Sequence, residues 1–351
     1  MKTFRFSLVA LVATVLFAAC SNDEAVLPAN NEAQAISFRT QGGTPEVTPR
    51  STATTIDNIE AFVVYGTDYT PPPASPYPGT PFHLFTGETV ARVAGASSNL
   101  FDYNPKKYYS TGATTASFFA YSPVSAGTGT PTLTAPIVTN LSAGVTFDYK
   151  VTPPDASGNT VQEDLLVAGI TVTPPSPTPV YLGFTHALSR IFVKAKNSLA
   201  EDVVITGLEL KNLYTTGTMT GTPAWTWTWA PTGSKTHIPF VLAPTGVAVP
   251  AGTGSPNAVL VTSMEQGMLV LPQVTANTTP DDHTNGDFAL EVKYRVANLL
   301  NQTAYVYLTD GYPFEIGTQY AITIDFSGTD LIEIKFIIGV GTFTDDPATM
   351  P

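Results

Sequence analysis

Proline and glycine cut this chain into short pieces: 30 prolines and 27 glycines are spread over 351 residues. A proline inside a helix removes a hydrogen bond and clashes with the preceding turn, so long helices have little room here. Between the breaks the chain is rich in valine, threonine, tyrosine and phenylalanine, which pack well on a pleated surface. Short strands separated by turns are the expected result, and the predicted fold class is all-β.

The strands can be placed from local alternation. Ile36, Phe38 and Thr40 alternate with Ser37 and Arg39, which reads as a short strand. Ile59–Gly66 is a strong strand, and aromatic-rich ones follow at Phe101–Tyr103, Lys107–Tyr109 and Ala116–Tyr121, with a buried-looking one at Asp164–Ala168. The segments 41–55, 69–82 and 123–136 read as loops, the second of them carrying six prolines. Beyond a second Pro-rich stretch, Thr173–Pro179, strands are expected at Ile191–Ala195, Val203–Leu210, Trp225–Trp229, Met268–Leu271, Leu290–Val296, Ala304–Leu308, Tyr320–Phe326 and Leu331–Phe343. Thr185–Arg190 fits either one helical turn or an irregular strand edge. The Pro-rich stretch is the best linker, so two β-sandwich domains in tandem are predicted, 36–175 and 180–351. No 20–50-residue period is apparent, which argues against a propeller or solenoid.

The front end has another purpose. Lys2 and Arg5 precede an uncharged, mostly apolar run of fourteen residues, Phe6–Ala19. A membrane-spanning helix needs about 20 residues, whereas a secretory leader does not. The run ends in Leu16-Phe17-Ala18-Ala19-Cys20, which resembles a bacterial lipobox with Cys20 as the acylated residue; the alternative is an ordinary signal peptide with an incidental cysteine. Cys20 is the sole cysteine, so no internal disulfide can form. Residues 21–35 read as a polar tether. Its Ser21-Asn22-Asp23-Glu24 start resembles the surface-export signal of Bacteroidota lipoproteins, which favours display on the outer membrane over a periplasmic location.

Little in the chain suggests chemistry. A net charge of −12 with 16 Lys+Arg argues against nucleic acid, whose affinity rests on basic contacts to phosphate. His83, His186, His237 and His283 are far apart and lack zinc-ligand spacing. No Gly-x-Ser-x-Gly elbow occurs. Asp281-Asp282 and Asp345-Asp346 are adjacent pairs, and neighbours in an extended chain point to opposite faces. No enzyme, cofactor or metal is predicted.

Two patterns remain. Trp225, Trp227 and Trp229 hold all the tryptophan and would share one face of a strand. They form either an exposed platform for sugar rings or a partner, or an inward core face with threonines outside. At the C-terminus Ile332, Ile334, Phe336, Ile338 and Val340 lie opposite Glu333, Lys335, Gly339 and Gly341 on a single strand. Such a face buries wherever a groove is offered, in its own sandwich or elsewhere.

Several segments in this order resemble the fimbrillins of Bacteroidales, the subunits of type V pili. They are Arg50–Ile59 leading into Phe62-Val63-Val64-Tyr65, then Ser117–Pro123, Asp164–Ala168 and Phe184–Ile191. Ile205–Leu213 with Gly217-Thr218, and Leu269–Gln273, complete the set. The resemblance spans most of residues 36–345 and implies transthyretin-like, Greek-key β-sandwich domains in a structural or adhesive pilus subunit. It further implies a lipoprotein precursor cut by an Arg-specific protease in the loop after the first strand, at Arg50 or, in competition, Arg39. Residues 35–40 would then be displaced, and Ile332–Val340 of another subunit would fill the groove by strand addition. Burying five such side chains is worth on the order of 10 kcal/mol before entropy costs. The implied partners are other pilin subunits, the processing protease, the outer membrane through the lipid, and a host glycan or protein. The alternative is a monomeric surface lipoprotein that binds glycans or a host ligand.

Overall fold

The computed structural model describes residues 35–40, 59–69, 84–94, 100–124, 132–133, 137–140, 144–153, 162, 164–174, 179–222, 224–252, 258–262, 267–276, 282–297, 300–308, 311–327 and 333–342. These hold 23 strands, a 3-10 turn at His283–Asn285 and no α-helix. The first half carries β1 (Phe38–Thr40), β2 (Ala61–Tyr69), β3 (Phe85–Arg92), β4 (Leu100–Asp102), β5 (Thr115–Ser122), β6 (Thr132–Leu133), β7 (Ile137–Asn140), β8 (Gly144–Lys150) and β9 (Leu166–Val172). Then come β10 (Val180–Leu182), β11 (Thr185–His186), β12 (Ser189–Asn197), β13 (Val203–Gly221), β14 (Trp227–Pro239), β15 (Val247–Val249), β16 (Val259–Leu260) and β17 (Met268–Val270). The last are β18 (Gln273–Val274), β19 (Ala289–Val296), β20 (Gln302–Tyr307), β21 (Pro313–Phe314), β22 (Thr318–Ser327) and β23 (Glu333–Thr342).

The first sheet runs β10-β1-β4-β3-β2-β5-β9-β11. It curls on itself, because Phe38 of β1 meets Phe118 of β5, four strands away in the order, at 5.6 Å between ring centroids. One core fills the inside of this curl, built on Phe38, Phe62, Phe85, Phe101 and Phe118. The second sheet is β20-β19-β13-β8-β6, with β14 and β15 on β13 and β7 on β8. A second core lies between the other face of the first sheet and β8 and β13, where Phe119, Tyr121 and Val167 pack with Phe147, Tyr149 and Met219. The third sheet, β16-β12-β22-β23 with β17 on β12, closes the largest core against β13 and β19. β18 and β21 form a small separate ladder.

The all-β class predicted from composition is the class observed. Hydrogen bonding crosses the Pro-rich 173–179 segment in both directions: β10 and β11 join the first sheet, while β6, β7 and β8 join the second. Proline cannot donate to a ladder, but it does not stop strands on either side from pairing. The Thr185–Arg190 segment is strand edge and not a helical turn, with β11 ending at His186 and β12 beginning at Ser189. Lys107–Tyr109 is not a strand, although Lys107 gives its carbonyl to the Ile36 N–H at 2.9 Å.

β13 is the longest strand, at 19 residues. Its buried positions change phase at irregularities between Ile205 and Gly207 and between Leu210 and Leu213, the second marked by Asn212 at φ 62°. A bulge inserts one residue and so flips the alternation. Asn212 is held in this left-handed conformation by its Nδ2, which donates to the carbonyls of His283 and Asp287 at 2.7 Å each.

Candidate functional site

β1 is short, yet it is paired on both flanks. It runs antiparallel to β4, with Phe38 opposite Phe101 and Arg39 opposite Leu100. It runs parallel to β10, with Phe38, Arg39 and Thr40 beside Val180, Tyr181 and Leu182. Just before it, the Val180 N–H donates to the Ser37 carbonyl at 2.8 Å. The Tyr103 hydroxyl donates to the Ile36 carbonyl at 2.6 Å. Burial pushes the Tyr103 phenol above its ordinary range, which keeps it protonated and able to donate.

The inward side chains of this segment are Ile36, Phe38 and Thr40, all buried. The Phe38 ring is caged by Phe85 at 5.3 Å, Phe118 at 5.6 Å, and Phe62 and Tyr103 at 6.0 Å, mostly edge to face. Burying Ile36 and Phe38 contributes about 1.5–3 kcal/mol each. Two polar atoms work against this: the Thr40 hydroxyl and the Arg39 Nε are buried with no hydrogen-bond partner among the described residues. Each such atom costs about 1–3 kcal/mol. β1 is therefore well filled at Ile36 and Phe38 and poorly satisfied at Arg39 and Thr40. Removing it would bare the facing edges of β4 and β10 above a floor of Phe62, Phe85, Tyr103 and Phe118.

The C-terminal alternating face lies in β23. Its backbone pairs antiparallel with β22 from Ser327 opposite Glu333 to Thr318 opposite Thr342. Among the described residues β22 is its only pairing, so β23 is an edge strand of the third sheet. Ile338 packs against the largest core, and Val340 is 53% exposed. Ile332 and the side chains of Ile334 and Phe336 lie outside the described residues, as do Cys20 and Arg50.

The tryptophans bridge two sheets. Each indole is half-buried against the second core, while Thr226 and Thr228 between them are exposed. Trp227 packs on Phe119 at 5.6 Å and Trp229 on Tyr149 at 6.2 Å. The Trp229 Nε1 donates to the Ala187 carbonyl at 2.8 Å. Trp225 lies over Gly169 and Trp227 over Gly221, where an added Cβ would come within 2.1 Å of the ring. Glycine is needed at both places to let the indoles down onto the strands.

The histidines do not converge. His186 Nδ1 pairs with the Asp164 carboxylate in the interior. His283 stacks on Tyr305 at 3.7 Å and contacts the Tyr307 hydroxyl at 2.9 Å. His83 lies outside the described residues. Among the described residues no three metal-ligating side chains cluster. The residue that sequence reasoning missed is Tyr103, whose bond to Ile36 depends on a pairing far apart in the chain.

A curled aromatic sheet with a short first strand, stacked on two further sheets, defines an all-β protein of packed sheets. The fimbrillin-like family model matches residues 47–339, and the chain belongs to that family. This is a structural and not an enzymatic family, with a pilus or adhesion role at the cell surface in assemblies of pilin subunits. The fold is shared with a fimbrial protein from Bacteroides vulgatus, at a TM-score of 0.61 and 16% identity, covering 88% of this chain and 99% of that one. It is also similar to a candidate cell adhesion protein from Bacteroides uniformis, at a TM-score of 0.50 and 17% identity, with the same 88% and 99% coverage. No curated protein matches the chain.

Proposed function

We propose that this protein is a pilus subunit, exported as a lipoprotein on Cys20 to the outer membrane and assembled there by protease-triggered strand exchange. The observation that carries the reading is the Phe38 slot, in which a three-residue strand sits between β4 and β10. An Arg-specific protease cuts after Arg50, β1 leaves, and Ile332–Val340 of another subunit takes its place. Arg39 is the less suitable cut site, because its backbone is paired on both flanks and a protease needs an unpaired, extended segment. The edge position of β23 supports its role as donor, since an edge strand detaches without breaking a second ladder. Cutting at Arg50 also parts the subunit from Cys20, so the lipid serves delivery.

Digestion of the mature chain with an Arg-specific protease tests this. Cleavage after Arg50 and a ladder on SDS gels run without heating are expected. Ile334→Asp with Phe336→Asp should abolish the ladder and leave the uncut protein folded. A clipped wild-type protein that stays monomeric at high concentration would remove the strand-exchange reading.

A further inference from the structure

Strand exchange needs the incoming segment to be a better occupant than the outgoing one, and the slot states what better means. Along β1 and its lead-in, Ile36, Phe38 and Thr40 point in, while Ser37 and Arg39 point out. The first two inward residues fit an apolar cage. The third does not: Thr40 lies beside the fully buried Leu182 with a hydroxyl that has no partner among the described residues. Arg39, next to it, carries the second such polar atom, its Nε. Both defects are confined to the last two residues of the strand.

The C-terminal strand repeats the good part of this pattern and replaces the bad part. Ile36-Ser37-Phe38-Arg39-Thr40 aligns with Ile334-Lys335-Phe336-Ile337-Ile338. Isoleucine and phenylalanine recur at the two caged positions, a polar residue recurs between them, and isoleucines stand where Arg39 and Thr40 were. Ile324-Asp325-Phe326 in β22 has the same spacing, but β22 is paired on both sides and would place Gly328 in the third slot.

Building on the strand-exchange reading, we infer that residues 334–338 of a second copy enter the slot in the same direction and register as residues 36–40. Ile334 takes the Ile36 site, Phe336 the Phe38 cage and Ile338 the Thr40 site. The incoming strand runs parallel to β10 and antiparallel to β4, with Ile337 opposite Leu100. The resident strand is a placeholder: it fills the cage well enough to fold the monomer and badly enough at Arg39 and Thr40 to be displaced. Replacing Arg-Thr by Ile-Ile removes both unpartnered polar atoms from the joint, which gives the exchange its direction.

The register can be read by cross-linking in the mature chain with Cys20→Ser, after digestion with an Arg-specific protease and oxidation. Leu100→Cys combined with Ile337→Cys should yield disulfide-linked oligomers. Leu100→Cys with Lys335→Cys or Gly339→Cys, each shifted by two residues, should not. If the polymer forms but links through Lys335 or Gly339 and not through Ile337, the register is overturned and strand exchange stands. If clipped wild-type protein forms no polymer and none of the three pairs links, both fall together. The placeholder claim has its own readout. Arg39→Ile with Thr40→Ile, which makes the resident strand resemble the donor, should raise the melting temperature of the uncut protein and slow ladder formation after clipping at least tenfold. Unchanged assembly, or a lowered melting temperature, would overturn it.

Discussion

The Tyr103 hydroxyl reaches the Ile36 carbonyl at 2.6 Å, tying the lead-in of the first strand to the loop that follows β4. The same hydroxyl accepts a longer bond from the Lys107 N–H at 3.3 Å, and Lys107 in turn accepts from Ile36 through its carbonyl. Three groups thus close a small circuit around the start of β1. Tyr103→Phe breaks it without changing the shape of the cage. The expected cost is about 1 kcal/mol in the uncut protein, a drop of a few degrees in Tm, and faster release of β1 once the chain is clipped. Thermal melts and ladder kinetics on the same preparation check both halves.

Two phenylalanines should behave as opposites. Phe38→Ala empties a fully buried cage and should cost about 3–5 kcal/mol in the uncut protein. On the strand-exchange reading it should leave an assembled polymer untouched, because the donor strand then fills the cage. Phe336→Ala should do the reverse, with its larger effect on the polymer. Chemical denaturation of the monomer and heat resistance of the ladders measure the two. Equal effects of both substitutions on the monomer alone would mean that β23 acts only as an ordinary strand of its own sheet.

The indoles rest where a side chain has been left out beneath them. Gly221→Ala would press a methyl into the Trp227 ring, and Gly169→Ala one into Trp225. Overpacking of this kind typically costs about 1–3 kcal/mol. Tryptophan emission should be blue-shifted relative to the unfolded chain and partly protected from acrylamide, and Gly221→Ala should make it redder. Emission already red and fully quenched in the wild type would instead favour an exposed platform for a ligand.

Alkaline pH should loosen the fold through two tyrosines. Burial raises the Tyr121 and Tyr109 phenols from 10.0 to about 12, with smaller contributions from Tyr65 and Tyr103 respectively. A raised folded value means that the stabilisation is complete below pH 10 and is lost as pH climbs towards 12. For Tyr121 the loss is on the order of 2 kcal/mol, and less for the half-buried Tyr109. Denaturant midpoints should fall between pH 9 and pH 11. Phenolate absorbance should show a late-titrating fraction that Tyr121→Phe reduces.

Strand content was legible wherever inward residues were numerous. Ala116–Tyr121 reads as a strand because almost every position is apolar, and β5 is buried on both faces between two cores. β3 carries no such signal, since only Phe85 and Val90 of its eight residues are buried apolar side chains. β13 is legible only to Leu210, because the irregularity at Asn212 breaks the period that identifies a strand. At the candidate site the sequence exposed Ile36, Phe38 and the C-terminal alternation. It could not show that β1 lies between β4 and β10, or that Thr40 is buried beside Leu182, because pairing between distant segments leaves no local periodicity.

β13 has a mechanical consequence. In a filament jointed at β1 and β23, tension enters a subunit through the first sheet and leaves through the third. Among the described residues these sheets share no ladder; the backbone passes straight from β11 to β12 through Ala187-Leu188, and the middle sheet packs against both. There a single backbone of 19 residues runs without a loop from the core beneath the tryptophans to the core beneath β22. Sliding the packed sheets past one another in such a filament would load β13 in shear against β8, β14 and β19 together, which makes this strand a tie-rod beside the direct β11–β12 link.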